Sequence, residues 1–171
     1  MERLVTSLVG LAVSTVVAFS YSERSIAQSA TGPLTGTWIM TSADVVRPDG
    51  SRTDAFGPNP KGIMTFSPEG HFTLIQMRSD LPPIAANSRG QGTAEENKAI
   101  VAGSIAYFGN YSYSEADKTM TLKLEGSTFP NLLSLGEQKR LVTLLTPNEL
   151  RFTNPRTPSG ISLEVALRRP H

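Results

Sequence analysis

The chain has 171 residues, 39% of them hydrophobic and 18% charged, with a formal net charge of +1. That length fits one domain with a substantial core, and the balance lies outside the low-hydrophobicity, high-charge regime of disordered chains. No cluster of Lys and Arg interleaved with aromatics could track a phosphate backbone, so nucleic acid is excluded as an expected partner. Cysteine is absent, which removes disulfides, thiolate metal sites and cysteine nucleophiles.

The N-terminal segment reads as a secretory signal peptide. Arg3 and the amino terminus supply a weak positive end, Leu4 to Phe19 is mostly apolar, and Ser25-Ile26-Ala27 offers a small-residue cleavage site. The apolar run is short for a bilayer span and is diluted by Thr6, Ser7, Gly10, Ser14 and Thr15, so no stable membrane span is expected after signal removal. Residues 1–27 are expected to be the signal and 28–171 the mature domain, periplasmic or secreted. The segment carries Glu2, Glu23, Arg3 and Arg24, two charges of each sign, so cleavage leaves the net charge near +1.

From Leu34 onward the chain alternates short β-like runs with turn residues. Strands are expected at Gly36 to Val46, Lys61 to Ser67, His71 to Met77, Tyr107 to Ser114, Thr119 to Gly126, Lys139 to Thr146, Glu149 to Asn154 and Ile161 to Arg169. Pro48-Asp49-Gly50 and Pro68-Glu69-Gly70 each combine a fixed φ with a residue tolerant of positive φ, which marks tight reversals. Glu115 to Lys118 and Pro147-Asn148 join further pairs at hairpin length, so the sheet is expected to be an antiparallel meander. Met120, Leu122 and Leu124 alternate with Thr121, Lys123 and Glu125, and Ile161, Leu163, Val165 and Leu167 alternate with Ser162, Glu164, Ala166 and Arg168. A sheet with one apolar face and little helix to cover it closes on itself. The expected fold is therefore all-β: an antiparallel up-and-down barrel of about eight strands with one short helix.

That helix is expected at Thr93 to Ile105. Thr93 and Glu96 stand at capping-box spacing, and Ala99, Ile100, Ala102 and Ile105 form an apolar set able to cap an open barrel end or lie on its flank. The preceding stretch, Ser79 to Gly92, is rich in Pro, Asn, Gly and Arg. Its length suits a lid or binding loop, with disorder as the alternative.

Gly36-Thr37-Trp38 holds the only tryptophan and opens the first strand; Arg168-Arg169 closes the last. The pairing is similar to the lipocalin superfamily, and that likeness implies that the tryptophan plugs one barrel end beneath a late arginine. Longer strings resemble the bacterial and fungal lipocalin-like domain family. They are Phe56 to Gly62 (Phe-Gly-Pro-Asn-Pro-Lys-Gly), Gly92 to Lys98 (Gly-Thr-Ala-Glu-Glu-Asn-Lys), Ser104 to Gly109 (Ser-Ile-Ala-Tyr-Phe-Gly), Glu125 to Asn131 (Glu-Gly-Ser-Thr-Phe-Pro-Asn) and Gln138-Lys139-Arg140. The resemblance runs from about Leu34 to Arg169. It implies an up-and-down or near up-and-down lipocalin-like barrel and brings no general activity with it. Members tend to carry an aromatic after the Phe-Pro-Asn element, where Leu132-Leu133 stand here, which implies a different ligand preference.

Tyr107, Tyr111 and Tyr113 share one strand face, and aromatics with a polar tip suit a pocket for a mainly apolar molecule as well as an ordinary barrel surface. Phe129, Glu125 and Arg140 complete the ligand-binding candidates. A carboxylate in an apolar cavity would act as general acid or base, so Glu125, Arg140 and Tyr107 are the catalytic candidates if the protein is an enzyme; the alternative for Glu125 is a solvated or salt-bridged rim residue. Met40, Met64, Met77 and Met120 suit a lining or the core, and Arg78, Asp80 and Arg89 a gate or a soluble loop. His71 and His171 have no partners at metal-ligand spacing, so neither metal nor cofactor is expected, and no hydrolase triad, phosphate loop or paired-carboxylate motif stands out. Three functions remain open. The first is an exported barrel binding a small hydrophobic or amphipathic molecule. The second is a cofactor-free isomerase, cyclase or hydratase, and the third a structural barrel without ligand. A filled interior favours the third, an apolar cavity the first, and a cavity with inward Glu125 opposite Arg140 or Tyr107 the second.

Overall fold

The alternating runs curl into one antiparallel barrel in the structure, a computed structural model that describes residues 32–154 and 161–170. In chain order the elements are β1 (Gly36–Val46), β2 (Arg52–Asp54), β3 (Lys61–Phe66), β4 (His71–Met77), α1 (Ala94–Gly103), β5 (Ser104–Ser114), β6 (Thr119–Ser127), a 3-10 turn (Pro130–Leu135), β7 (Gln138–Leu145), β8 (Glu149–Asn154) and β9 (Ser162–Arg168). From β3 to β9 each strand pairs with its successor, and β9 returns onto β1 from Ile39↔Arg168 to Val46↔Ser162. β3 takes the first part of β1, Gly36 to Ile39, and β2 takes its last part, Asp44 to Val46. The expected signal at 1–27 lies outside the described residues. No helix among the described residues is long and apolar enough to cross a membrane.

The helix differs from expectation in extent, and two further elements were not anticipated. The helix ends at Gly103, not Ile105, because Ser104 is already extended and β5 must begin early enough to set Ile105 against Gln76 and Ser104 against Met77. β2 is three exposed residues with no apolar alternation to announce it. The 3-10 turn follows Phe129 with Pro130 in its first turn, a position where a missing N–H costs nothing.

Alternation decides which side chains enter the barrel. Trp38 and Met40 of β1, Met64 and Phe66 of β3, Phe72 and Leu74 of β4, Met120 and Leu122 of β6, Leu150 and Phe152 of β8, and Val165 and Leu167 of β9 are all buried inside. At roughly 1.5–3 kcal/mol for each fully buried large apolar side chain, this set supplies the main drive for folding. In β6 the phase slips: Phe108 faces Gly126 and Gly109 faces Leu124, leaving Glu125 as the extra residue of a bulge. Gly109 is required there, since a Cβ on it would stand 2.1 Å from the Lys123 carbonyl oxygen.

One end of the barrel is sealed. Trp38 is fully buried and its indole N–H donates to the Leu34 carbonyl at 2.7 Å. The Arg169 guanidinium lies 3.8 Å from the ring centroid, a cation–π contact, and burial holds it below the usual arginine value. Gly36 makes room for it: φ is +111°, and a Cβ there would collide with the guanidinium. The neighbouring Arg168 points outward and is exposed.

Arg169→Ala is expected to lower unfolding free energy by about 0.5–2 kcal/mol and Trp38→Ala by about 3–5 kcal/mol, whereas Arg168→Ala stays within about 0.5 kcal/mol. Urea denaturation followed by far-ultraviolet circular dichroism measures all three. Equal effects at Arg168 and Arg169 would contradict the plugged end.

Candidate functional site

Following each strand away from the Trp38 plug, the inward residues change from apolar to polar. β4 runs Phe72, Leu74, Gln76; β8 runs Leu150, Phe152, Asn154; β7, in the opposite sense, runs Gln138, Arg140, Val142. The polar residues therefore gather at the end opposite the plug. A cavity of about 660 Å³ opens among them. Its inner wall includes Phe56, Gln76, Ile105, Tyr107, Gln138, Arg140, Asn154 and Leu163, and its rim includes Arg89, Ile100, Val101, Phe129 and Leu132. The hollow also reaches over the rim to Ile75 and Ala106, a directly paired couple on the outer face of β4 and β5.

Arg140 is the chemical centre of this end. It is 5% exposed, and its guanidinium donates to the Gln138 Oε1 at 2.7 Å and to the Lys139 carbonyl at 3.1 Å. Gln138 in turn donates its Nε2 to the Leu132 carbonyl at 3.3 Å, which ties Arg140 through one amide to the 3-10 turn at the rim. Neither acceptor is charged. The four ion pairs among the described residues, Arg52 with Asp44 and Glu164, Arg78 with Asp80, and Arg151 with Glu149, all lie on the outside and leave Arg140 out. Gln76 is 4% exposed and its Oε1 has no hydrogen-bond partner among the described residues. Such an atom carries its full desolvation penalty unless something else enters to satisfy it.

The candidates named from sequence separate along the barrel axis. Tyr107 lies in the cavity wall, with its ring edge-on to Phe72 at 6.0 Å between centroids. Tyr111 shares its strand face but sits towards the plug, edge-on to Phe66 at 4.7 Å, with its hydroxyl donating to the Ser67 carbonyl at 3.0 Å. Tyr113 lies further that way, where burial raises its phenol above the ordinary value and Glu115 adds to the effect. Phe129 stands on the rim, 49% exposed. Glu125 is not brought to the cavity: on the outward face of β6 with Lys123, it is exposed and accepts a hydrogen bond from the Asn110 side chain. It is therefore nowhere near Arg140 as a counter-charge. His71 is exposed at the start of β4, and no group of three or more His, Asp or Glu among the described residues is placed to hold a metal. Met40, Met64 and Met120 are core, and Met77 borders the cavity.

Gln76, Phe56, Asn154 and Leu163 were not singled out from sequence. Gln76 had a readable signal, since it occupies the inward phase of an otherwise apolar Phe72, Leu74, Gln76 alternation. Phe56 had none, because it reaches the core from the connection after β2.

The rim segments are fastened to one another. Thr93 caps α1 in a reciprocal box with Glu96, and the same Glu96 carboxylate accepts the Ala85 N–H at 3.0 Å, stitching the long loop to the helix. Those backbone N–H groups hold the Glu96 carboxyl below the usual value, the Ala85 contact contributing most. At the loop's base Arg78 pairs with Asp80 through two contacts of 2.8 Å, and Arg89 reaches the cavity. Ile100, Val101 and Ala102 of α1 border the opening, while Ala99 does not.

A closed antiparallel ring plugged at one end and hollow at the other defines a small barrel of the up-and-down class. The chain belongs to the lipocalin-like domain family, whose sequence profile matches residues 35–167. No curated protein matches it. Among solved structures it is similar to a redesigned beta barrel, at 21% identity and a TM-score of 0.41, covering 84% of this chain and 96% of that one. A de novo designed fluorescence-activating beta barrel is similar at 14% identity and a TM-score of 0.39, covering 83% and 98%. A redesigned barrel bound to DFHBI is similar at 18% identity and a TM-score of 0.39, covering 82% and 99%.

The Glu96 stitch gives a pH prediction. A carboxylate whose folded pKa is depressed contributes above its unfolded value and loses that contribution as pH falls through the folded value. The Ala85 and Thr93 amide resonances are therefore expected to titrate together on acidification, with a midpoint below the usual glutamate range, and to lose that transition in Glu96→Ala. Nuclear magnetic resonance titration checks this, and different midpoints for the two amides would show that the loop is not held by the helix.

Proposed function

We propose that the protein is exported and that its barrel holds one small, mainly apolar molecule at the end opposite Trp38. The observation that carries this reading is the cavity itself. Its volume of about 660 Å³ falls within the roughly 300–1,000 Å³ of small-molecule sites, and its walls combine apolar side chains with a few convergent polar groups. Part of that space lies within the ring, against Gln76, Tyr107, Gln138 and Arg140. Exposed apolar residues at the same end, Val101, Phe129, Leu133 and Leu135, suit an apolar ligand crossing the rim. Support for export comes from the apolar Leu4 to Phe19 run and the small residues before Gln28.

Storage or transport is favoured over turnover by acid-base chemistry. Among the described residues lining the cavity there is no Asp, Glu or His, and Glu125 lies outside it. Leu132, where the resemblance places an aromatic, stands on the cavity rim, so the departure from the family pattern falls within the proposed site.

Nile red, a neutral apolar dye, is expected to bind the protein with a blue-shifted, enhanced emission. Ile105→Trp combined with Leu163→Trp narrows the cavity and should weaken binding at least about tenfold, on the order of 1.4 kcal/mol. Met120→Leu, at the filled end, should leave it unchanged. Fluorescence titration measures both, with near-ultraviolet circular dichroism confirming the fold; dye binding that ignores the narrowed cavity would place the ligand elsewhere.

A further inference from the structure

We infer that the ligand of this barrel is an amphipathic monoanion, a carboxylate whose head enters first and pairs with Arg140 while its apolar body fills the wall and rim. This rests on the cavity-binding reading above and names the class of molecule that fits it.

The argument begins with what Arg140 lacks. A guanidinium carries five N–H donors and a permanent charge. At 5% exposure it has given up most of its water, yet the partners it has gained are one amide oxygen and one backbone carbonyl. Among the described residues no Asp or Glu lines the cavity. An unpaired buried cation is strongly unfavourable, by several kcal/mol in a fold whose whole margin is about 5–15 kcal/mol. A charge kept in that position calls for an anion that arrives from outside.

Geometry selects the anion. Gln138 occupies one edge of the guanidinium and is itself held by the Leu132 carbonyl, so the fork is fixed in orientation before any ligand arrives. A planar, singly charged carboxylate matches a fixed guanidinium fork through paired charge-assisted hydrogen bonds. The other cation of the cavity, Arg89, is exposed at the rim. With one buried positive charge, the inner site balances a monoanion; a phosphate monoester would bring a second negative charge with no buried partner. Gln76 adds a further polar group inside the same cavity, its unpartnered Oε1 open to an O–H or N–H donor on the ligand.

The test uses a matched pair of fluorescent probes, 1-pyrenebutyric acid and its methyl ester, which share an apolar body and differ in charge. Wild-type protein is expected to bind the acid more tightly than the ester. Arg140→Met should weaken the acid roughly thirtyfold or more and leave the ester unchanged or slightly tighter. The unliganded Arg140→Met protein should melt at the same temperature as wild type or higher, because an unpaired buried charge has been replaced by an apolar chain of similar length. A purely structural arginine would instead lower the melting temperature and weaken both probes together. If Arg140→Met fails to fold, Arg140→Gln is read in the same way. Equal binding of acid and ester, unchanged by either substitution, would overturn the carboxylate assignment and leave the apolar cavity standing. Binding of neither probe by wild type would overturn both.

Discussion

The contact on which the rest of the molecule depends is the Arg169 guanidinium lying over the buried Trp38 indole. An eight-stranded ring has just enough interior for side chains to fill it, and what decides whether it becomes a solid core or a container is where the filling stops. Here the largest side chain of the protein occupies one end, hydrogen-bonded to Leu34 and covered by an arginine that Gly36 admits by having no Cβ. Phe66, Phe72, Met64 and Met120 pack the interior next to this plug. The hollow of about 660 Å³ lies at the opposite end.

At that opposite end the protein departs from the rule that barrel interiors are apolar. Gln76, Gln138 and Arg140 are all at least nine-tenths buried, and together they make one well-formed internal hydrogen bond, from Arg140 to Gln138. Leucines of similar volume at these positions would satisfy packing without desolvating a charge and two amides, so the polar set weakens the fold. The segments that border the pocket are joined by backbone contacts that do not depend on a ligand: Glu96 fastens the long loop to α1, Gln138 fastens the 3-10 turn to β7, and Thr128 bonds to Ala106 of β5. The opening is thus framed by contacts within the chain itself.

The β6 bulge shows how one residue of slippage redistributes chemistry. Without it, strict alternation would carry the inward phase of Met120, Leu122 and Leu124 on to Gly126. Glu125 keeps the outward phase of Thr121 and Lys123 with or without the bulge, whereas the extra residue turns Gly126 away and brings Ser127 opposite Tyr107. The close approach that this slip demands is possible because position 109 is a glycine.

The sequence by itself determined the order of the eight strands that close the ring, their alternating faces, the capped helix and the Gly36-Thr37-Trp38 element, because these are set by interactions within a few residues: period-two patterning, turn chemistry at Gly50 and Gly70, and a side chain reaching its own backbone at Thr93. It did not determine which of Arg168 and Arg169 covers the tryptophan, whether Glu125 meets Arg140, or that Tyr107 and Tyr111, on one face of one strand, serve opposite ends. Those follow from registers between strands distant in sequence, a bulge fixed by packing against Gly109, and closure of β9 onto β1. A pattern of faces says which side chains travel together; only closing the ring says which of them look inward, and at what depth.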